Sequence, residues 1–594
     1  MNMLPTLVTV ILAAGALQAE QPNVILVMTD DQGYGDLGFH GNPILRTPNL
    51  DRFAGESVRL SDFYVHPVCA PTRASLMTGR WCQRTSAIDT YRGRAMLEPE
   101  EVTLAEMMHA EGYATGVFGK WHLGDCHPVR AIDQGFDDAL VHRGGGIGQP
   151  SDPRGGEGRY TDPILFRNDK RVETSGYCTD VYMDEAIDWM SRQHAAGRPF
   201  FAYIPTNAPH GPYGDVPEEP YRRYAAMELS NDDFPQEHGH PIAKPIRADL
   251  TAREYAMIEN IDGAMGRLLA SLEEQGLAEN TIVVFMHDNG PQHLRYNAGF
   301  RSNKGSVYEG GIRSPLFIRW PARLQGGRTV DALGAHVDIA PTILDACGAS
   351  QDIEPGFDGE SLLPMLEGRV QQAPDRTIVI QAHRGDVPVA WHNAMIRMGD
   401  WKLVNDSGFG REIPPGETPR MRLELYNLED DPCEEHDLAA ANPEMVQKLR
   451  SAYEAWFKDV GADDPGNYLP PRISIGHSDA ARTVLTRQDW RGAGWGDRAR
   501  GHWLIDVARD GAYQVRVRPC IGKRWPEPTA AVLKIGPRRF EGTFKAGAPE
   551  IVFEHVPLPA GPCTLEVDVT DEKGTLGAYQ VVVEPGYTAK QGEP

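Results

Sequence analysis

The segment Cys69-Ala70-Pro71-Thr72-Arg73 places a nucleophilic residue type, a helix start and a cation within five positions. Proline suits the first turn of a helix, because its missing N–H would be unpaired there anyway. Cys69 is therefore predicted to lie near a helix N-terminus, where unpaired backbone N–H groups favour an anion. Arg73 lies close to the same helix face one turn later. The pattern indicates an anion-reaction site, although a lone cysteine is also typical of a buried apolar position or a disulfide.

Two other segments carry neighbouring oxygen ligands. Asp30 and Asp31 are adjacent and precede a glycine-bearing stretch, and Asp288 is followed by Asn289. Neighbouring carboxylates repel each other unless a cation lies between them. Carboxylate and amide oxygens suit Ca²⁺ or Mg²⁺ and not Zn²⁺. Any one of these aspartates alone is typical of a turn or a helix cap, but the four residues together predict a metal site for Ca²⁺ or Mg²⁺.

Basic and proton-carrying side chains occur in three further segments, as Lys120 with His122, as His210 and as Lys304. Each lies at or near the end of a predicted strand, beside a glycine or proline. A single lysine or histidine is usually solvated or packed in a core. Their repeated position at strand ends indicates that they belong to the same site as the carboxylates.

The elements that must position these residues are short, continuous apolar runs, which are typical of strands buried on both faces of a sheet. The runs are 23–29, 114–118, 199–204 and 281–286, and each ends at a polar cluster. Helical patterns lie between them, for example 104–111 and 253–275. This alternation predicts an α/β fold with a mostly parallel sheet between helices. Because ligands bind outside the carboxyl ends of such strands, we expect the four polar clusters to face one crevice.

Beyond about residue 370 the pattern changes. Segments 395–404 and 423–428 are typical of antiparallel strands, and 443–460 has apolar residues near helical spacing. We predict a smaller antiparallel sheet-plus-helix subdomain over 371–462. The Pro- and Gly-bearing segment 463–472 is then typical of a linker.

The last part of the chain alternates apolar and polar residues, as in 513–518 and 565–569. This period of two predicts a C-terminal β-sandwich over 473–594. Its tryptophans could form a sugar-stacking surface, although core packing accounts for most such residues. They include Trp490, Trp495, Trp503 and Trp525.

Composition bounds the function. The 594-residue chain is long enough for two or three domains, and its formal net charge is −24. This charge, with no basic run, argues against nucleic-acid binding. An anionic substrate would depend on local cations, since distant exposed charges are screened beyond roughly 8 Å at physiological salt.

Residues 4–19 are almost wholly apolar and end in small residues, which is typical of a secretory signal peptide. We expect residues 1–19 to be removed, leaving an exported, periplasmic or extracellular protein without a membrane span. A buried strand or an uncleaved anchor is the alternative. The eight cysteines include no CxxC pair, so no zinc site is predicted, and Cys520 with Cys563 is a candidate disulfide.

From residue 23 to about residue 460 the chain resembles the type I, formylglycine-dependent sulfatases. The motifs occur in family order: 30–36 (DDQGYGD), 69–73 (CAPTR), 119–124 (GKWHLG), 207–210 (NAPH), 287–290 (HDNG), 304–313 (KGSVYEGGIR) and 424–428 (ELYNL). The resemblance implies an alkaline-phosphatase-like catalytic domain over 20–370 that hydrolyses sulfate esters. Thr72 stands where the family more often has serine, and the predicted sandwich is not part of the common family core.

The resemblance also implies that Cys69 is oxidised to Cα-formylglycine by a formylglycine-generating or sulfatase-maturating enzyme. The hydrated aldehyde would attack the sulfur, with Asp288 taking its proton. It would be held on Ca²⁺ by Asp30, Asp31, Asp288 and Asn289.

The basic residues receive roles by the same resemblance. Arg73, Lys120 and Lys304 would neutralise the sulfate oxygens as charge develops. His210, with Lys304, would bind sulfate and help to protonate the departing alcohol, and His122 and Lys120 would hold the diol.

A sulfated carbohydrate, attacked as an exo-enzyme, is the substrate we expect. Segments 143–158 and 212–244 are expected to shape the pocket, and the sequence does not identify the sugar, the sulfate position or the oligomeric state. The alternatives are a phosphodiesterase or phosphonate monoester hydrolase on the same scaffold, a non-catalytic glycan-binding protein, and a hydrolase with Cys69 as a plain thiolate. A thiolate hydrolase does not use a metal surrounded by carboxylates, which argues against this last alternative.

Overall fold

The computed structural model describes residues 21–586 except 154, 157, 236, 352–353, 371–375, 415, 493, 497 and 521–524. The predicted signal peptide therefore lies outside the described residues. In the described part of the chain a large mixed sheet, a small antiparallel sheet and a pair of C-terminal sheets follow one another.

The large sheet has ten strands in the spatial order β10-β2-β9-β8-β1-β7-β3-β4-β5-β6. Their bounds are β1 Asn23–Thr29, β2 Val58–Tyr64, β3 Ala114–Lys120, β4 Asp138–His142, β5 Ile164–Arg167, β6 Lys170–Glu173, β7 Phe200–Pro205, β8 Thr281–His287, β9 Leu316–Arg319 and β10 Thr329–Ala335. Strands β8, β1, β7, β3 and β4 are mutually parallel. The predicted α/β sheet is confirmed, with antiparallel strands toward its edges.

Helices cover both faces of this sheet. They are α1 Pro48–Glu56, α2 Cys69–Thr78, α3 Leu104–Ala110, α4 Cys178–Ala195, α5 Glu218–Ala225, α6 Ala248–Glu274, α7 Glu309–Ile312, α8 Ile339–Cys347, α9 Leu363–Leu366 and α10 Pro443–Asp459, of which α10 belongs to the next sheet. The pattern at 253–275 found the long helix α6, which begins five residues earlier, at Ala248.

Strand β1 shows why a continuous apolar run was needed. Val24, Leu26 and Met28 pack in the core on one face of the sheet, while Ile25 and Val27 pack in the core on the other. All five side chains are fully buried. Because successive side chains point to opposite faces, an unbroken apolar sequence is what a strand covered on both sides requires.

The small sheet is antiparallel in the order β11-β12-β13-β14 and packs against α10. Its strands are β11 Thr377–Gln381, β12 Ala394–Met398, β13 Trp401–Asn405 and β14 Glu424–Asn427. The run 395–404, predicted as one strand, is instead a hairpin. Gly399 lies at φ +57° in its turn, a conformation that glycine adopts without steric cost.

Two further sheets form the predicted β-sandwich. The first is ordered β15-β18-β23-β20-β21, with β17 and β24 at its side, and the second β16-β25-β19-β22. Bounds are β15 Ile473–Ile475, β16 Thr483–Thr486, β17 Arg491–Gly492, β18 Gly501–Val507, β19 Gly511–Arg518, β20 Ala530–Ile535, β21 Arg538–Thr543, β22 Ile551–Leu558, β23 Gly561–Asp571, β24 Gly574–Gly577 and β25 Gln580–Pro585.

The sandwich core is continuous with the apolar core on one face of the large sheet. Trp490 and Trp503 are fully buried in it, with ring centroids 5.9 Å apart. Core packing, the reading that the sequence favoured for most of these tryptophans, therefore holds for Trp490 and Trp503. Cys563 is a free thiol, so the candidate disulfide with Cys520 is not formed. Among the described residues, no helix combines the length and apolar character needed to cross a membrane.

Candidate active site

The site lies at the carboxyl edge of the parallel strands. Thr29, the last residue of β1, pairs with His287, the last residue of β8, so Asp30 and Asp288 follow side by side. Asp31 adopts φ +63°, in the left-handed region, and its backbone N–H donates to Asp288 Oδ1 at 3.2 Å. Such backbone strain in a non-glycine residue persists only where surrounding contacts hold it.

Cys69 is the first residue of α2. The helix therefore begins two residues before Pro71, the residue that was predicted to open it. Pro71 is still within the first four residues, whose N–H groups have no partner inside the helix. Cys69 Sγ lies 3.6 Å from Asp30 Oδ1 and 3.3 Å from Lys304 Nζ. The predicted nucleophile therefore lies between a carboxylate and a cation.

Arg73 and Lys120 lie beneath the nucleophile and are fully buried. Arg73 donates to Asp288 Oδ2 at 2.8 Å and to Asp30 Oδ2 at 3.3 Å. Lys120, the last residue of β3, forms a close ion pair with Asp30. Neither cation lines the cavity, so in this conformation they contact carboxylates and not the space that a sulfate would fill.

Lys304, His210 and His122 do line the cavity together with Cys69. Lys304 also pairs closely with Asp31, and His210 Nε2 lies 3.8 Å from Asp31 Oδ2. His122 Nε2 lies 2.9 Å from the backbone oxygen of Thr90. All ten predicted residues thus lie at one end of the sheet. Of the basic and proton-carrying side chains among them, Lys304, His210 and His122 face the cavity.

Burial and charge act in opposite directions on the carboxylates. Burial alone would raise the pKa of Asp30, but Lys120, His210 and Arg73 outweigh it and lower that pKa. Burial and the Asp30 charge raise the pKa of Asp288 to about 6, against the effect of Arg73. Burial, followed by Asp30, raises the pKa of the Cys69 thiol to about 12. Burial thus favours the neutral form of an unmodified Cys69 thiol, which disfavours the plain-thiolate hydrolase.

The oxygen cluster has the composition of a hard-cation site. Ligand atoms of Asp30, Cys69 and Asp288 lie within 4.8 Å of one another, as do those of Asp30, Asp31 and His210. Asp31 Oδ2 and Asn289 Oδ1 are buried without a hydrogen-bond partner in the described part of the chain. Buried polar atoms normally find a partner, so these two oxygens fit a cation such as Ca²⁺.

A cavity of about 500 Å³ opens above Cys69. The predicted loop 143–158 contributes Gly145 and Gln149 to its wall, and Tyr213 comes from the other predicted segment. A Cβ on Gly145 would lie 2.8 Å from His122 Nε2, and one on Gly146 would lie 2.6 Å from His210 Cε1. Glycine at these positions lets the loop close against both histidines.

Sequence reasoning missed part of this cavity wall. His293 lines it, with Nδ1 3.0 Å from Glu254 Oε1, a buried carboxylate on α6. Arg384 and Phe409 reach it from the antiparallel-sheet part of the chain, and Trp495 from the sandwich. No local signal marks His293, Arg384 or Phe409, whereas Trp495 was visible only as one of several sandwich tryptophans.

Two protein families match the chain. The family described as Sulfatase covers residues 22–349, and the one described as N-sulphoglucosamine sulphohydrolase, C-terminal, covers residues 300–456. The chain belongs to the sulfatase family, within the alkaline phosphatase superfamily. It is a sulfuric ester hydrolase, as its motifs predicted.

Two sulfatases are similar to about three quarters of the chain. The N-acetylgalactosamine-6-sulfatase of Canis lupus familiaris is 32% identical, over 74% of this chain and 85% of its own. Arylsulfatase A of Homo sapiens is 31% identical, over 74% and 88%. The crystal structure of Ps i-CgsB in complex with k-i-k-neocarrahexaose superposes with a TM-score of 0.62 at 26% identity, covering 76% of this chain and 94% of that one. Both family matches end before the sandwich begins.

Proposed function

We propose that this protein removes sulfate from a sulfated carbohydrate, acting on the end of a saccharide, through a Cα-formylglycine derived from Cys69 and a Ca²⁺ ion. The observation that carries the proposal is the convergence of Asp30, Cys69 and Asp288 below a cavity lined by Lys304 and His210. An anionic group entering that cavity would meet the two cationic or proton-bearing side chains directly above the oxygen cluster. The sugar-sulfatase names of the relatives support a carbohydrate substrate.

The ion would be held by Asp30, Asp31, Asp288 and Asn289, with Mg²⁺ the less suitable occupant. Bound there, it would supply Lewis-acid stabilisation, and the formylglycine hydrate would supply the attacking hydroxyl. Phosphonate or phosphodiester hydrolysis on the same scaffold is the alternative reaction.

The chain's own residues provide binding and proton transfer. Lys304 neutralises sulfate oxygens as their charge grows. His210, whose Nδ1 lies 2.7 Å from the backbone oxygen of Gly211, presents Nε2 as the nitrogen that protonates the departing alcohol. Arg73 and Lys120 keep Asp30 ionised and fixed in place, and the carboxylate of Asp288 accepts the nucleophile's proton.

We further propose that the protein is exported, with its modification installed by a formylglycine-generating or sulfatase-maturating enzyme. The apolar segment 4–19 supports export. Mass spectrometry of the peptide containing residue 69 tests the modification, and active protein that carries only the unconverted thiol would contradict it.

A substrate comparison tests the reaction class. Rates on mono-sulfated monosaccharides should exceed those on an aryl phosphate diester by orders of magnitude, and the reverse order would favour the phosphodiesterase. Cys69→Ala should abolish turnover while the circular dichroism spectrum stays unchanged. Cys563→Ala, a free thiol in the sandwich, is the matched control and should keep its activity.

A further inference from the structure

The C-terminal sandwich packs directly on the loops of the catalytic site. Gln488 Nε2 donates at 3.0 Å to the backbone oxygen of Thr90, the same oxygen that His122 contacts. Arg491 pairs closely with Asp386 and donates to the backbone oxygen of Arg92. The sandwich thus fixes the position of the loop that contains Thr90 and Arg92, and Thr90 lines the cavity.

Trp495 extends the contact between the sandwich and the catalytic loops into the cavity. It lies in the loop between β17 and β18, and its half-buried ring lines the same cavity as Cys69 and Lys304. The indole Nε1 donates at 3.0 Å to the backbone oxygen of Arg487, so the polar edge of the ring is satisfied within the sandwich. The Tyr91 ring packs edge-on at 5.2 Å and 81°. These two contacts orient an aromatic surface at the cavity wall.

Arg384 lies on the same side of the cavity. Its guanidinium carbon is 4.1 Å from the Phe409 ring centroid and 4.7 Å from that of Tyr91. It donates to Thr90 Oγ1 at 2.8 Å and pairs closely with the buried Asp89. A planar guanidinium held this firmly loses little entropy when it forms a further hydrogen bond. Trp495 is thus linked through Tyr91 to a pre-positioned donor.

The cavity volume of about 500 Å³ is within the range of roughly 300–1,000 Å³ that holds drug-sized ligands, and is far more than a sulfate group needs. Pyranose rings offer C–H faces that pack on aromatic rings and hydroxyl edges that accept hydrogen bonds from arginine. An aromatic ring with an arginine close by is therefore suited to a sugar ring beyond the one that bears the sulfate.

We propose that Trp495, assisted by Arg384, forms a subsite for the sugar unit adjacent to the sulfated one, so that the C-terminal sandwich selects oligosaccharides over monosaccharides. This inference rests on the proposed carbohydrate substrate. It assigns a direct role in substrate specificity to the sandwich, a part of the chain that neither family match covers.

The test compares a sulfated disaccharide with the corresponding sulfated monosaccharide. Wild-type protein should show the higher kcat/KM on the disaccharide. Trp495→Ala should lower kcat/KM on the disaccharide by at least about tenfold, mainly through KM, which corresponds to about 1.4 kcal/mol. Its kcat/KM on the monosaccharide should change less than about twofold. Trp495→Phe keeps a ring and should restore most of the loss.

Trp401→Ala, at an equally half-buried tryptophan on β13 outside this cavity, is the matched control, and thermal unfolding checks that each variant is folded. Equal losses on both substrates, or none on either, would overturn the subsite while leaving the proposed function intact. A wild-type enzyme that prefers the monosaccharide would also overturn it. Wild-type protein that hydrolyses aryl sulfates but no sulfated saccharide would overturn the proposed function, and the subsite with it.

Discussion

Asn289 donates a 2.8 Å hydrogen bond from its side-chain amide to Asp31 Oδ1, joining the ends of two strands that lie 258 residues apart in sequence. The bond leaves Asp31 Oδ2 and Asn289 Oδ1 buried and without a hydrogen-bond partner in the described part of the chain. Leaving a buried polar atom unpaired costs roughly 1–3 kcal/mol. A bound cation would recover that cost at both oxygens.

Asp31→Asn should therefore weaken metal binding and remove metal-dependent stabilisation. A ligand at about 100 times its dissociation constant stabilises the folded state by about 2.7 kcal/mol. Wild-type protein should thus unfold at a lower temperature after chelation, and the variant should not respond to chelator. Calorimetry and elemental analysis measure the two effects. Asp188→Asn, an exposed residue on α4, is the control, and an unchanged calcium content in Asp31→Asn would contradict the ligand assignment.

Arg73→Met should destabilise the protein, because Arg73 contacts Asp30 and Asp288 at positions with no solvent exposure. Removing one partner of a buried ion pair costs roughly 3–5 kcal/mol. The loss should be smaller with Ca²⁺ than with chelator, since the ion also offsets the carboxylate charge. Urea unfolding in both solutions measures this difference.

Arg222→Met serves as its control, because that arginine is 74% exposed in a surface pair with Glu218. Surface changes of this kind usually stay within about 0.5 kcal/mol. An Arg73→Met protein as stable as wild type in chelator would show that the buried carboxylates do not need this cation.

Lys304→Met should leave the fold intact and reduce catalysis. Its ammonium lies 3.3 Å from Cys69 Sγ and lines the cavity, where sulfate charge would develop. Loss of one such stabilising group typically lowers kcat by about 10²–10³. Steady-state kinetics on an aryl sulfate would show the effect, with Lys170→Met, an exposed lysine on β6, as the control. Unchanged kcat would remove Lys304 from the reacting centre.

Glu434 makes stability depend on pH between weakly acidic and neutral conditions. Burial raises its pKa to about 7, with Lys402 acting against burial and Glu309 adding to it. Lys402 Nζ lies 2.7 Å from both carboxylates. Because the pKa is raised on folding, the folded state holds the proton more tightly than the unfolded state does. The contribution to stability is fully present below about pH 4.5 and is lost progressively as pH rises to about 7.

Glu434→Gln should accordingly flatten the fall in unfolding free energy between about pH 4.5 and about pH 7. Urea denaturation at several pH values gives the slope. The exposed neighbour Glu435 provides the control Glu435→Gln, which should keep the wild-type slope. Equal slopes in all three proteins would mean that Glu434 does not titrate in this range.

The residues of the candidate active site could be picked out from the sequence because they occupy fixed places relative to local structure. Asp30, Lys120 and Asp288 lie at or just beyond the ends of apolar runs, and parallel strands bring such ends to one edge. Cys69 was readable for a similar reason, since a helix start depends on its immediate neighbours. Both signals extend over only a few residues.

Tertiary packing alone decided the rest. Whether Arg73 faces sulfate or carboxylate depends on how α2 packs against the ends of β1 and β8, and the structure buries it against carboxylates. Arg384 and Trp495 reach the cavity from distant parts of the chain. Segment 394–405 forms a hairpin of two strands because Gly399 adopts positive φ in the turn between them. Strand and helix periodicity encodes which face of an element is buried, but it carries no record of which distant element covers that face.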